Sequence, residues 1–313
     1  MTACSFLPAA TKMIFDMGLG ELLTGVTFEC PAESAGKPVV VRFLLEGKKY
    51  SSAEIDRIFS VSKAQGKSLY YVDVPLLKQL APDIIFTQDV CEVCQIDSAC
   101  TAAAIAQLTK QPQIIALNPS SLEDVFNNAI SIASALGHEE AAYPYLSALQ
   151  KRIDHSIDEL RKHRAGPKRV MLMEWIDPMY NCGHWIPFQI AYAGGIDMLS
   201  NPGGDSIVTP WEKILRYDPE ILVIAPCGFQ IDRATEELHL LAQKEEWNRL
   251  KAVQDSRVFL VDFDLFTQPS PGNLTDGIEL LAALFHPALF EVPDHLRKKQ
   301  IPVFQSLERH VQS

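Results

Sequence analysis

The stretch from residue 118 to residue 167 constrains the fold most, because it separates two halves of the chain that have similar patterns. It opens with Ser120 and Glu123 at the spacing of a capping box, and one helical face then stays apolar until Gly137. A second helical pattern, from about Glu139 to Arg164, has apolar residues at steps of three and four. At about 1.5 Å per residue this helix would span roughly 35–40 Å. We therefore expect a rigid helix beside a cleft between two halves.

A motif that occurs once in each half of the chain supports two similar lobes. In each half, a strand that begins Pro-(Asp/Glu)-Ile leads into a loop with cysteine: residues 82–88 precede Cys91 and Cys94, and residues 219–225 precede Cys227. Strands alternate with helices throughout, which indicates an α/β fold with two lobes, one long linking helix and a ligand cleft between the lobes. The predicted divisions are an N-terminal lobe at 1–137, a linking helix at 138–167, and a C-terminal lobe at 168–313 with a peripheral tail.

Composition excludes some partners. The 313 residues carry a net charge of −11, and the basic run at 297–299 is short, so we expect no nucleic-acid partner.

The first six residues lack Lys and Arg, and Pro8 interrupts the first apolar run. This pattern predicts neither a secretory signal nor a membrane span, and hence a cytoplasmic location. Seven cysteines favour thiols or a metal site over a disulfide framework.

Several motifs carry a resemblance to a known family. Residues 5–11 (SFLPAAT), 82–88 and 276–281 (DGIELL), with the single linking helix, resemble the helix-linked substrate-binding proteins of metal-chelate uptake. Within that family, residues 52–56, 87–94, 183–187 and 225–229 look like a cytoplasmic cobalamin-binding branch. The resemblance covers about residues 4–287. It implies cobalamin or another tetrapyrrole as the bound molecule, and a transporter or a cobalamin-pathway protein as the partner.

Candidate ligand-binding residues follow the strands at their carboxyl ends, where ligands bind in open α/β sheets. Indole rings offer contact area to a macrocycle, and carboxylates and thiols offer polar contacts. The predicted residues are Pro8, Glu29, Cys30, Asp89, Cys91, Glu174, Trp175, Asp177, His184, Trp185, Cys227 and Phe266.

A metal site is a second prediction. The Cys91-x-x-Cys94 pair can bind one ion such as zinc, with Cys30 or His184 completing it, or can form a redox disulfide. Buried thiols without such a role are an equally open interpretation. His184 is either an axial ligand to a chelated metal or a hydrogen-bonded loop residue.

The sequence therefore predicts non-catalytic binding of a corrinoid or related metal chelate between the lobes. The alternative is an enzyme or metal-site protein on the same fold that uses Cys91 and Cys94. Glu29, Asp89, Glu174 and Asp177 could serve as acids or bases, but carboxylates in a cleft also bind polar ligand groups. The chain has neither a Gly-x-Ser-x-Gly elbow nor a His-Glu-x-x-His motif.

Overall fold

Two α/β lobes joined by a long helix make up the chain in a computed structural model that describes residues 1–88 and 98–303. This is the predicted fold class. The division points of the lobes, at 137/138 and 167/168, stay a prediction.

The N-terminal lobe contains six strands and five α-helices in the described residues. The strands are β1 (Ala3–Ser5), β2 (Leu23–Thr27), β3 (Val39–Phe43), β4 (Tyr70–Val72), β5 (Ile84–Thr87) and β6 (Gln113–Ala116). The helices are α1 (Pro8–Asp16), α2 (Ser52–Ala64), α3 (Val74–Leu80), α4 (Ser98–Ile105) and α5 (Leu122–Ala135). The sheet order is β4-β3-β2-β1-β5-β6, and all neighbours are parallel except β3 and β4.

The linking helix is α6 (Ala142–Lys162), which a 3₁₀ turn at Glu139–Ala141 precedes. Its 21 residues span about 32 Å, close to the predicted length. The predicted pattern extended to Arg164, but Arg164 adopts a φ of 49°. A left-handed backbone at this position ends the helix, as is common at helix C-termini.

The C-terminal lobe contains seven strands and seven α-helices in the described residues. The strands are β7 (Lys168–Met173), β8 (Gly183–His184), β9 (Gly195–Ile196), β10 (Asn201–Pro202), β11 (Ile221–Ile224), β12 (Val258–Val261) and β13 (Gln300–Pro302). The helices are α7 (Ile186–Tyr192), α8 (Trp211–Tyr217), α9 (Ile231–Thr235), α10 (Leu238–Ala242), α11 (Lys251–Gln254), α12 (Asp264–Thr267) and α13 (Pro271–Phe285). The main sheet has the order β13-β12-β11-β7-β9, and β8 pairs separately with β10.

The predicted peripheral tail of the C-terminal lobe contains a strand of the main sheet. β13 pairs antiparallel with β12 and extends the main sheet by one edge strand. Because its pairing partner lies about 40 residues upstream, the local sequence pattern did not reveal this strand.

Alternate residues of the central strands point to opposite faces of each sheet. On β7, Val170 and Leu172 join one core cluster, while Met171 and Met173 join another. On β5, Ile84 and Phe86 face one cluster and Ile85 faces the other. Each sheet is thus buried on both faces, as parallel sheets require.

Helices α5 and α6 connect the lobes on one face of both sheets. α5 contributes Leu122 and Val125 to the C-terminal core, and Ala129 and Ile132 to the N-terminal core. α6 contributes Ile153 to the C-terminal core.

Helix α2 connects the lobes on the opposite face. Its Phe59 packs against the second cluster of the N-terminal lobe, and its Ile55 against the second cluster of the C-terminal lobe. The lobes therefore touch on both sides of the cleft between them.

None of the helices within residues 1–88 and 98–303 has the length and apolar character needed to cross a bilayer.

Removing Arg152 should weaken the attachment of α6 to α13. Its guanidinium lies 2.6 Å from carboxylate oxygens of both Asp276 and Glu279, and all three side chains are at least two-thirds buried. Arg152→Ala would leave two neighbouring carboxylates without this cation, so we expect a loss of about 1–3 kcal/mol in the free energy of unfolding. Urea denaturation measures this loss. Arg161→Ala on the same helix is the control, because Arg161 is 77% exposed and its exposed ion pair should contribute little. Equal losses of unfolding free energy in both variants would show that Arg152 does not attach α6 to α13.

Candidate functional site

The N-terminal edge of the cleft is formed where β1 and β2 end. Pro8 is buried as the first residue of α1, so it shapes the turn after β1. Glu29 and Cys30 follow β2 and are both half-buried. The Cys30 thiol donates to Thr11 Oγ1 at 3.0 Å, and burial raises the pKa of Cys30 to about 11. The Cys30 thiol therefore already has a hydrogen-bond partner within the N-terminal lobe.

Glu29 is an acid whose ionisation the fold disfavours. Burial and, secondarily, the negative charge of Glu46 raise the pKa of Glu29 to about 7. Near neutral pH this carboxyl group therefore exists in both forms, and it can donate or accept a hydrogen bond at the cleft edge.

On the C-terminal lobe, Glu174 follows β7 and is held in place from two directions. Its Oε1 accepts from the Gly183 backbone N–H at 3.2 Å, and its Oε2 accepts from the Ser206 hydroxyl. Only 9% of the residue is exposed. These contacts tie the end of β7 to β8 and to the loop after β10.

His184 ends β8 in a conformation that the surrounding backbone imposes. Its φ is 50°, and its N–H donates to the Gly204 carbonyl at 2.7 Å. The preceding Gly183 has no room for a side chain, because a Cβ there would lie 2.4 Å from the Gly204 oxygen. The pairing of β8 with β10 thus fixes the backbone position from which the His184 side chain projects.

The imidazole of His184 is 18% exposed and stacks on the Trp185 ring, with 5.4 Å between ring centroids. Burial lowers its pKa, and the Asp205 carboxylate, 3.8 Å from Nε2, opposes that shift. The neutral ring therefore dominates at pH 7. A neutral imidazole is the form that can ligate a metal.

The structure places two of the predicted ligand contacts, Trp185 and Phe266, in the core of the C-terminal lobe. Trp185 is 9% exposed, belongs to the core of the C-terminal lobe, and donates from Nε1 to the Phe266 carbonyl at 2.6 Å. Phe266 is fully buried. Their side chains fill the core beneath the cleft because their apolar area is most stabilising there.

Trp175, Asp177 and Cys227 lie at the ends of β7 and β11 and are half-buried. Trp175 already has partners: its Nε1 donates to the Ser52 carbonyl of the other lobe at 3.2 Å, and its ring lies 5.0 Å from that of Phe229. The Cys227 N–H donates to the Glu174 carbonyl at 2.9 Å, which joins the two strand ends.

The predictions for Asp89, Cys91 and Cys94 lie outside the described residues. Within residues 1–88 and 98–303, no group of three or more His, Cys, Asp or Glu side chains could hold a metal ion. The predicted metal set of Cys91, Cys94 and His184 therefore stays a prediction.

Sequence reasoning missed the loop after β10 and the first turn of α2. Asp205 and Ser206 reach His184 and Glu174. Ser52 bonds with Glu237, 185 residues away, and no sequence pattern reports a partner at such a distance.

Replacing Trp185 should reduce stability. Trp185→Ala would open a cavity in the core, so we expect the free energy of unfolding to fall by about 3–5 kcal/mol. Trp185→Phe, which keeps most of the ring but leaves the Phe266 carbonyl without this donor, should cost less. Tyr192→Ala serves as the control, because Tyr192 is 38% exposed at the end of α7. Chemical denaturation followed by circular dichroism would measure all three, and an unchanged midpoint for Trp185→Ala would exclude a core role.

The buried Glu29 should give stability a definite pH dependence. Because its folded pKa of about 7 lies above the ordinary value of 4.5, the folded state binds this proton more tightly than the unfolded state does. Its contribution to stability is therefore fully present below about pH 4.5 and is lost as pH rises through 7.

Glu29→Gln removes this dependence. Relative to the wild type, the melting temperature of the variant should rise by about 2–4 °C between pH 4.5 and pH 8. Glu245→Gln, at an exposed position, is the control and should show no such trend. A flat difference between Glu29→Gln and the wild type across this range would show that Glu29 ionises normally.

Solved structures of similar fold were found by comparison. A periplasmic heme binding protein from Pseudomonas aeruginosa superposes with a TM-score of 0.71 at 17% identity, covering 94% of this chain and 96% of that one. The periplasmic vitamin B12 binding protein of Vibrio cholerae gives 0.60 at 17% identity, covering 92% and 97%. An ABC transporter substrate-binding protein from Listeria monocytogenes gives 0.67 at 14% identity, covering 91% and 98%. At these identities the similarity shows the fold. A search of curated proteins returned no match.

The sequence model of the periplasmic binding protein family matches residues 70–265. This match contradicts the predicted cytoplasmic location, because the family consists of periplasmic binding proteins. Since the matched residues make up more than half of the chain, the protein belongs to the periplasmic binding protein family.

Proposed function

We propose that the protein binds a metal chelate of the corrinoid type between its lobes, without transforming it, and passes it to a transporter. The family supports a binding role. Proteins of the same fold include ones named for binding heme and vitamin B12, and one named as an ABC transporter substrate-binding protein. Cobalamin or another tetrapyrrole is the molecule that we propose for the cleft.

The placement of His184 carries this proposal. Strand pairing holds its backbone, the Trp185 ring supports one face of the imidazole, and burial keeps it neutral. Part of the side chain remains exposed. A neutral, oriented nitrogen donor at the carboxyl ends of the strands suits the axial position of a chelated metal.

Acidic side chains on both lobes suit the periphery of such a molecule. Glu29 lies on one lobe, and Glu174 and Asp177 on the other. Corrinoids carry amide groups at their edge, and carboxylates and carboxylic acids can accept or donate hydrogen bonds with amides. We propose ligand contact for Glu29 and Asp177, with Trp175, Cys227 and Cys30 at the cleft edge. Glu174, whose two oxygens bond to Gly183 and Ser206, holds the loops beside the ligand. Asp89 and Cys91 stay in the proposal on sequence grounds alone.

The alternative is a zinc site at Cys91 and Cys94. The residues that the structure describes provide no group of three or more potential ligands that would support it. Cys30, which could complete such a site, already donates its thiol hydrogen to Thr11 Oγ1. We therefore favour chelate binding.

Binding of hydroxocobalamin tests the function. We expect a one-to-one complex in calorimetric titration, with a change in the visible spectrum as the imidazole replaces the water on cobalt. His184→Ala should weaken binding roughly 10- to 100-fold, which corresponds to about 1.4–2.8 kcal/mol, and should abolish the spectral change.

His155→Ala is the matched control, because His155 is exposed on the linking helix. Hemin is titrated in parallel. No binding of hydroxocobalamin by the wild type refutes the corrinoid assignment, and tight hemin binding in its place would reassign the ligand to heme. Unchanged affinity and spectrum in His184→Ala would exclude the proposed axial ligand.

A further inference from the structure

The first turn of α2 makes a dense polar contact with the C-terminal lobe. The Ser52 N–H donates to Glu237, at 2.9 Å to Oε1 and 3.2 Å to Oε2. The Ser52 carbonyl accepts from Trp175 Nε1 at 3.2 Å. Tyr180 donates its hydroxyl to Asp56 Oδ1 at 3.1 Å. Every one of these bonds crosses from one lobe to the other.

Glu237 is the centre of this contact. Its carboxylate is 5% exposed and also pairs with Arg233 on the same lobe. Arg233 lies 4.2 Å over the Phe229 ring and donates to the Tyr50 carbonyl of the other lobe at 2.7 Å. A buried, charged acceptor at a helix N-terminus is favourable because the first amides of a helix lack partners within it.

The position of this contact determines its role. α5 and α6 connect the lobes on one face of the two sheets, and α2 connects them on the other. The α2 contact therefore closes the side of the cleft that the linking helix leaves open. Besides the partly buried Ile55, the contact is made by hydrogen-bonding groups, which can part and re-form without exposing a large apolar core.

We propose that the contact of Tyr50, Ser52 and Asp56 with Trp175, Tyr180, Arg233 and Glu237 is a reversible latch, which opens to let the chelate enter and leave the interlobe cleft. This gating role rests on the proposed function, whereas the opening itself does not. The latch bonds join protein groups to each other and close in both the empty and the loaded protein. Weakening them should therefore accelerate binding and release together and leave the affinity nearly unchanged.

Hydrogen exchange without ligand tests the opening. Glu237→Gln keeps the size of the side chain but removes its charge, so the latch should open more often. We expect deuterium uptake in the peptide that contains Ser52 to become about 10-fold faster, while the core peptide of β5 stays protected.

Two control variants distinguish opening of the latch from a general loss of stability. Glu236→Gln changes the neighbouring carboxylate, which is 52% exposed and lies 3.7 Å or more from its cationic partners. Ser52→Ala keeps both backbone bonds and removes a hydroxyl that has no partner among the described residues. Neither variant should change uptake at this peptide. Unchanged uptake in Glu237→Gln would overturn the latch.

Stopped-flow mixing with hydroxocobalamin tests the gating. In Glu237→Gln we expect the association and dissociation rate constants each to rise about 10-fold, at a dissociation constant within about twofold of the wild-type value. Faster exchange with unchanged rate constants would overturn the gating role. If exchange becomes faster but the wild type binds no cobalamin, the latch is supported and the proposed ligand fails.

Discussion

The attachment of the two lobes on both faces of their sheets is the constraint on which the rest of the structure depends. Apolar packing of α5 and α6 forms one attachment, and the first turn of α2 forms the other. The two differ in kind, because the first buries aliphatic side chains, whereas the second adds polar bonds around Glu237 to the packing of the partly buried Ile55. A domain held this way has one permanent connection and one that can open at moderate cost.

The candidate site depends on this double attachment of the lobes. β7 ends at Glu174, and the next residue, Trp175, already belongs to the α2 contact. His184 is placed by β8 and its pairing with β10, which Glu174 in turn ties to β7. The groups proposed to face the ligand on this lobe are therefore positioned by short strands and backbone bonds, which favours a site formed before ligand arrives.

The sequence was sufficient for the fold because its signals were local and repeated. The 21-residue α6 and the two Pro-(Asp/Glu)-Ile strands follow from periodicity alone. Burial within the site was harder to predict. Trp185 and Phe266 looked like ligand contacts, but which face of a Trp or Phe is covered depends on tertiary packing. The hydrogen bond between Ser52 and Glu237 could not be predicted, since no periodicity connects residues 185 positions apart.

If the protein binds a chelate as proposed, its doubly attached lobes receive the chelate without large rearrangement. Small-angle X-ray scattering of the free protein and of its one-to-one complex with hydroxocobalamin tests this. We expect the same radius of gyration within error, because the latch is closed in both states. A clear decrease on binding would mean that the lobes close around the ligand from an open state, and would contradict this expectation.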